Sequence, residues 1–254
     1  HPFFMQQISY PVLSLALTYK DAYNKGRILL QGCDVTMKKQ MSDSLLLAVF
    51  LTLAGGFQDA YSYNCRGQVF ANAQTGNIVL LGQNLATGHF DKAFHYFMPL
   101  LAFVFGVYLA EWIRRKYQHS LRIHWRQTVL LAEIALLIVV GWFSSDWNIW
   151  ANVLLSFACA MQVNTFRKFR GLPCATTMCI GNMRSAASLL CAYHVTKDPE
   201  MRRKSLHYYF VIAIFALGAA FGAVLSQRIG TKAIWIAAGL QLIGFCLMFF
   251  HSPD

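Results

Sequence analysis

From residue 44 onward the chain consists of long apolar runs separated by short polar ones. A helix needs about 20 apolar residues to cross about 30 Å of hydrocarbon. Six runs meet that length: Ser44 to Tyr63, Ala93 to Ile113, Gln127 to Phe143, Trp147 to Phe166, Ser205 to Gln227 and Ala233 to Phe250. Two further stretches are polar or short. Gly67 to Gly88 is uncharged but carries Gln68, Asn72, Gln74, Thr75, Asn77, Gln83 and Asn84, and Gly171 to Met183 offers 13 uncharged residues before Arg184. Stretches of this kind suit a re-entrant segment better than a span. The pattern therefore predicts an all-α polytopic membrane protein with six transmembrane helices plus two re-entrant or short polar helices.

Upstream of these runs the pattern is different. The one apolar stretch in the first 36 residues, Val12 to Leu17, is far too short to span. Met37-Lys38-Lys39 leads directly into the first long run and reads as the start, with residues 1–36 as a non-core extension. That run ends in Ala54-Gly55-Gly56-Phe57-Gln58-Asp59 without an A-x-A site, which favours an uncleaved anchor helix over a cleaved signal.

Composition excludes several classes. The 254 residues are 56% hydrophobic and 13% charged, against about 45–50% and about 25% in soluble domains. A soluble enzyme or a disordered tail is ruled out. The seven cysteines form no CxxC pair and lie mostly in apolar runs, which argues against a disulfide framework or structural zinc. A net charge of +11 would suggest nucleic acid in a soluble protein, but in a membrane protein it points to basic cytoplasmic loops.

The two polar stretches resemble each other. At an offset of 104 positions Gln58 falls on Gln162, Arg66 on Arg170, Gly67 on Gly171 and Ala71 on Ala175. After a one-residue slip Gly76-Asn77 falls on Gly181-Asn182. The same offset superposes the hydropathy, so residues 37–143 and 144–254 read as two membrane repeats. Basic residues decide their relative orientation. If both polar stretches cross, 7 Lys and Arg lie on the Lys38 side and 11 on the other; if neither crosses, the division is 15 against 4. Cytoplasmic loops carry the excess, so the six-span arrangement with both termini inside is expected, and the repeats are then inverted.

Polar groups at membrane depth need protein or a water-filled cavity to satisfy them. Thr75-Gly76-Asn77 precedes the apolar run Ile78-Val79-Leu80-Leu81 and reads as the cap of a short helix, with Gly181-Asn182 as its counterpart. Two such segments entering from opposite faces would meet near the midplane, as in solute carriers and channels. The competing reading is that these small residues are helix-packing contacts. Thr75, Gly76, Asn77, Gln162, Asn164, Gly181 and Asn182 are the candidate solute-binding residues. Asp59 and Arg184 are candidates for ion or proton coupling; Asp59 could instead pair with Arg66, and Arg184 could snorkel to the surface. Glu111 and Glu133 read as interfacial anchors.

Enzyme signatures are scarce. There is no HExxH, GxSxG or Walker loop, so no catalytic residue, metal or cofactor is expected. His119 and His124 with Trp125 suit lipid headgroups, and Cys174 with Cys179 is a weak soft-metal candidate. The partners expected are the lipid bilayer, a small solute and a second copy of the chain, with no nucleic acid. The leading function is a small-solute transporter or channel with its site between the repeats. The alternative is a non-transporting assembly partner or sensor acting through basic cytoplasmic loops.

Gly55-Gly56-Phe57-Gln58-Asp59-Ala60, then Phe70-Ala71-Asn72-Ala73-Gln74-Thr75-Gly76-Asn77-Ile78-Val79-Leu80-Leu81-Gly82, then Ala160-Met161-Gln162-Val163-Asn164 with Gly181-Asn182, resembles the YoaK family of bacterial inner-membrane proteins, domain of unknown function 1275. The resemblance covers roughly Met37 to Phe250. It implies a six-span protein of the bacterial inner membrane and leaves the chemistry open. In the second copy the family's Thr-Gly-Asn reads Ile180-Gly181-Asn182, which removes the threonine hydroxyl there.

Overall fold

The computed structural model describes residues 45–117, 125–169 and 171–249, all within the unit Gln40–Asp254. The extension 1–36, Met37, Lys38, Lys39, His119, Arg122, His124, Arg170 and Phe250 lie outside the described residues. Each apolar run lies on a helix. In chain order the helices are α1 (Leu45–Cys65), α2 (Gln74–Ala86), α3 (Phe90–Tyr117), α4 (Trp125–Trp142), α5 (Asn148–Thr165), α6 (Cys179–Thr196), α7 (Pro199–Ile229) and α8 (Ile234–Leu247). A two-residue antiparallel hairpin, β1 (Lys168–Phe169) with β2 (Leu172–Pro173), lies between α5 and α6 and turns at Gly171, whose φ is +75°. Among the described residues four helical stretches are long and apolar enough to cross a membrane: Leu45–Cys65, Phe90–Lys116, Trp125–Trp142 and Pro199–Leu247. The chain is thus a helical protein of the multi-pass membrane type.

Close contacts fix the helix directions. Leu53 and Phe57 of α1 meet Gly218 and Gly222 of α7, and the Cys65 thiol donates to the Ser226 carbonyl, so α1 and α7 run parallel. Gly106 of α3 lies against Phe157 and Ala160 of α5, and Arg167 just past α5 reaches Glu111 near the end of α3, so this pair is also parallel. The two pairs oppose each other, because Asn152 early in α5 donates to the Arg66 carbonyl while Gln162 late in α5 donates to that of Leu51. A Cβ on Gly56 would sit 2.1 Å from the Phe215 carbonyl oxygen, and one on Gly218 2.2 Å from that of Leu53. Only glycine permits that approach, which is how helices pack where lipid gives no hydrophobic drive.

α1 is the central element, with 67% of its most apolar window buried against 28% for α3. Leu47, Leu51, Phe57 and Tyr61 project from it into the main core, where Leu130, Leu137, Leu155 and Ile234 meet them. α7 begins earlier than its apolar run. Asp198 accepts from the Glu200 N–H at 2.9 Å, Pro199 occupies the first turn, and Lys204 bridges Glu200 at 2.7 Å. At 31 residues it is about 46 Å long, more than the hydrocarbon thickness, so a charged turn can project beyond it.

Arg66 does not pair with Asp59. Its side chain is fully buried, donating to the Tyr61 hydroxyl (2.9 Å) and to the Val140 (2.9 Å), Phe143 (3.0 Å) and Ser144 (3.1 Å) carbonyls. These carbonyls close the C-terminal end of α4, where a cation is favoured by the helix dipole. Glu133 is not an interfacial anchor either. It is the ninth of the 18 residues of α4 and has no exposure. Its partner Gln241 lies on α8, 108 positions away, so nothing near it in the sequence marks it as buried.

Candidate functional site

After α1 the chain turns back on Gly67 and Gln68, whose φ values are 79° and 61°, and Gly67 packs against the His95 ring near the start of α3. The loop thus begins and ends at the same end of α1. Between those points it dips to the level of Gly55, the eleventh of the 21 residues of α1. Asn72 donates its side-chain N–H to the Gly55 carbonyl at 3.0 Å. Its own backbone N–H donates to the Asp59 carboxylate at 2.6 Å, and that of Ala73 also lies on this carboxylate. Asp59 therefore sits beneath the start of α2, where anions are favoured.

Asn77 holds this loop. It has no exposure, accepts from the Phe70 N–H at 3.0 Å and donates to the Phe70 carbonyl at 2.7 Å. One amide thus satisfies both backbone groups of a residue seven positions upstream. It lies inside α2, which opens one residue before Thr75, at Gln74; Ala73, not the Thr75-Gly76-Asn77 triplet, takes the cap position. Thr75 is exposed and Gly76 packs on the Phe70 ring.

Asn182 does the same in the second loop, accepting from the Ala175 N–H at 3.4 Å and donating to the Ala175 carbonyl at 2.7 Å. This loop reaches α1 at the same level, since a Cβ on Gly55 would lie 3.0 Å from the Thr177 methyl and 3.3 Å from the Thr176 carbonyl oxygen. Gln162 ties the loop to the bundle, donating to the Thr176 hydroxyl at 3.0 Å and accepting from Gln241 at 2.9 Å.

A cavity of about 450 Å³ opens beside the second loop at the start of α6, lined by Val163, Asn164, Arg167, Cys174, Gly181 and Asn182 among others. Arg167 closes its rim in a cluster with Asn164 and Glu111, and Glu111 also binds Arg114 (2.6 Å) and Arg115 (3.1 Å). A second cavity of about 560 Å³ lies between α6 and α7 and holds Arg184, Lys204, Tyr208 and again Gly181. The candidate residues therefore separate into groups. Asn164, Gly181 and Asn182 share the first cavity, Arg184 lies exposed in the other, Asn77 and Asp59 secure the first loop, and Gln162 is buried in the bundle.

Three residues of this region stand outside the sequence-based candidate set. Arg167 lines the cavity, Thr176 receives Gln162, and Gln241 joins Gln162 to Glu133. Gln241 offered a signal, being an amide at the centre of the otherwise apolar Ala233 to Phe250 run. Among the described residues no three His, Cys, Asp or Glu side chains gather as metal ligands.

No curated protein matches the chain, and no solved structure does. A family of proteins of unknown function, DUF1275, matches residues 47–247. That match covers most of the sequence and both loops with their asparagines, and the chain belongs to the DUF1275 family.

Proposed function

We propose that the protein is a small-solute carrier or channel of a bacterial inner membrane, with six spans, two re-entrant loop–helix units and an inverted repeat, and with both termini cytoplasmic. The observation that carries this reading is the cavity at the start of α6, where two asparagine amides, a thiol and a guanidinium project among apolar side chains. A concave, mostly apolar site with a few convergent polar groups is the usual form of a small-molecule site.

The helix directions support the six-span reading. α1, α4 and α7 run one way and α3, α5 and α8 the other, with α4 and α8 antiparallel through the Trp235 to Ile138 and Gln241 to Glu133 bonds. α2, at 13 residues, is about 20 Å long, too short to cross. The matching asparagine clasps and the two parallel helix pairs support the repeat.

Solute binding is tested by a thermal-stability screen of the purified protein against a panel of small solutes, because a ligand that binds only the folded state raises Tm. At least one solute should raise the Tm of the native chain and fail with Asn164→Leu. A panel without effect, combined with loss of the phenotype when the exposed Lys168 is neutralised and its retention in Asn164→Leu, favours the sensor or assembly role. Topology is tested separately, with a reporter after Lys92 expected outside and one after Lys197 inside.

A further inference from the structure

Glu133 lies at the centre of α4 with no exposure, and its carboxylate has one bond, from the Gln241 side-chain N–H to Oε2 at 3.3 Å. The other oxygen, Oε1, is buried without a partner, and so is the carboxamide oxygen of Gln241. Two acceptors on neighbouring groups thus lack a donor. From α5 the Cys159 thiol lies within electrostatic reach, and Gln162 approaches through Gln241. α1 presents Gln58, which accepts from Cys159, and Asp59, whose carboxylate is held by the first loop. The charges at the ends of α4 are placed elsewhere: Arg66 is bound to the carbonyls past Val140, Lys232 is exposed, and Glu111 of α3 is held by arginines. Among the described residues no Lys, Arg or His side chain bonds to Glu133.

An unpaired carboxylate at this depth is strongly disfavoured, and ionisable groups inside a membrane bundle are paired, wet or functional. A proton resolves both orphan acceptors together. It neutralises Glu133 and gives its carboxyl a hydroxyl donor, while the side chain it is bonded to, Gln241, carries an acceptor that lacks one. The same carboxamide is the first link of a chain, since its N–H also donates to Gln162, whose own N–H donates to Thr176. Thr176 follows Ala175, the residue clasped by Asn182 at the cavity wall.

We propose that Glu133 is a proton-binding site at the middle of the bundle, sharing its proton with Gln241 and linked through Gln162 and Thr176 to the loop that borders the cavity. Proton occupancy at Glu133 does not depend on the solute reading; only the consequence for the cavity does. Loss of the proton leaves an anion that must recruit the Gln241 N–H more strongly, which draws that donor away from Gln162 and loosens the Thr176 anchor.

The test is infrared spectroscopy of the full chain in lipid at neutral pH. A protonated carboxyl C=O band is expected, lost in Glu133→Gln and retained in Asp59→Asn. Absence of the band in the native protein, or its loss in Asp59→Asn instead, overturns the proposal. A second measurement needs no variant: dicyclohexylcarbodiimide, which reacts with protonated carboxyls in apolar surroundings, should label the α4 peptide at Glu133, with labelling falling as pH rises. Labelling that sodium suppresses at constant pH would make this a cation site and overturn the proton. A solute screen without hits leaves both readouts interpretable, so this proposal and the solute reading fail separately.

Discussion

The loop–helix unit of residues 66–86 and that of residues 166–196 share one clasp and differ in what lies beneath it. In both, an asparagine early in the helix binds both backbone groups of the residue seven positions upstream. In the first, the space under the helix start is filled by Asp59, Asn72, Ser62 and Ser156, each bonded to the loop or to α1. In the second, the residue 104 positions after Asp59 is Val163, which bonds to nothing and lines the cavity instead. The same backbone device can thus close a unit around its own carboxylate or leave room for something else. The unit with Asp59 on the preceding helix is filled, and the one with Val163 on its preceding helix borders a cavity.

Four substitutions probe that difference, in falling order of effect. Asn77→Leu strands the buried Phe70 N–H and carbonyl and should cost about 3 kcal/mol. Asn182→Leu, with its longer 3.4 Å bond beside an open cavity, should cost about half as much. Equal losses in chemical unfolding of the two variants would mean that the units are equally tight and would break the comparison. Asp59→Asn removes the anion from the start of α2 and should cost about 1 kcal/mol, while leaving any solute-induced rise in Tm unchanged. A lost solute response would place Asp59 in the binding path instead. Arg184→Gln, at an exposed position in the wider cavity, should shift stability by less than about 0.5 kcal/mol. A larger change in its unfolding midpoint would show that the second unit depends on this charge.

The helices were legible in the sequence because each apolar run is long enough to form one, and the polar loops stood out because they interrupt that pattern. Asn77 and Asn182 stand out through the Gly-Asn pair, which repeats one residue past the offset, but the sequence points to solute binding and not to the backbone clasps they form. Asp59 stands out in the sequence as an acid, but its partner does not, since Arg66 is the nearest cation in sequence while the amides of the loop are nearer in space. Glu133 reads as an anchor for a related reason, since its partner Gln241 is 108 positions away and no local pattern marks the acid as buried. The capped start of α7 at Asp198-Pro199-Glu200 carried a recognisable signature, yet hydropathy alone begins the helix at Ser205. Gln162 and Gln241 lie on helices distant in sequence, and their contact depends on how α5 and α8 pack, which no local pattern encodes.

Arg66 gives the molecule an order of assembly. The carbonyls it binds at Val140 and Phe143 are synthesised 74 and 77 positions after it. Until α4 has been threaded and the turn before α5 has formed, the guanidinium has only the Tyr61 hydroxyl and water to satisfy it, and it must stay at the aqueous boundary. Its burial is therefore a late event in biogenesis. It records that the α4–α5 turn has arrived on the same side as the end of α1, and a chain inserted with the wrong topology could not complete it.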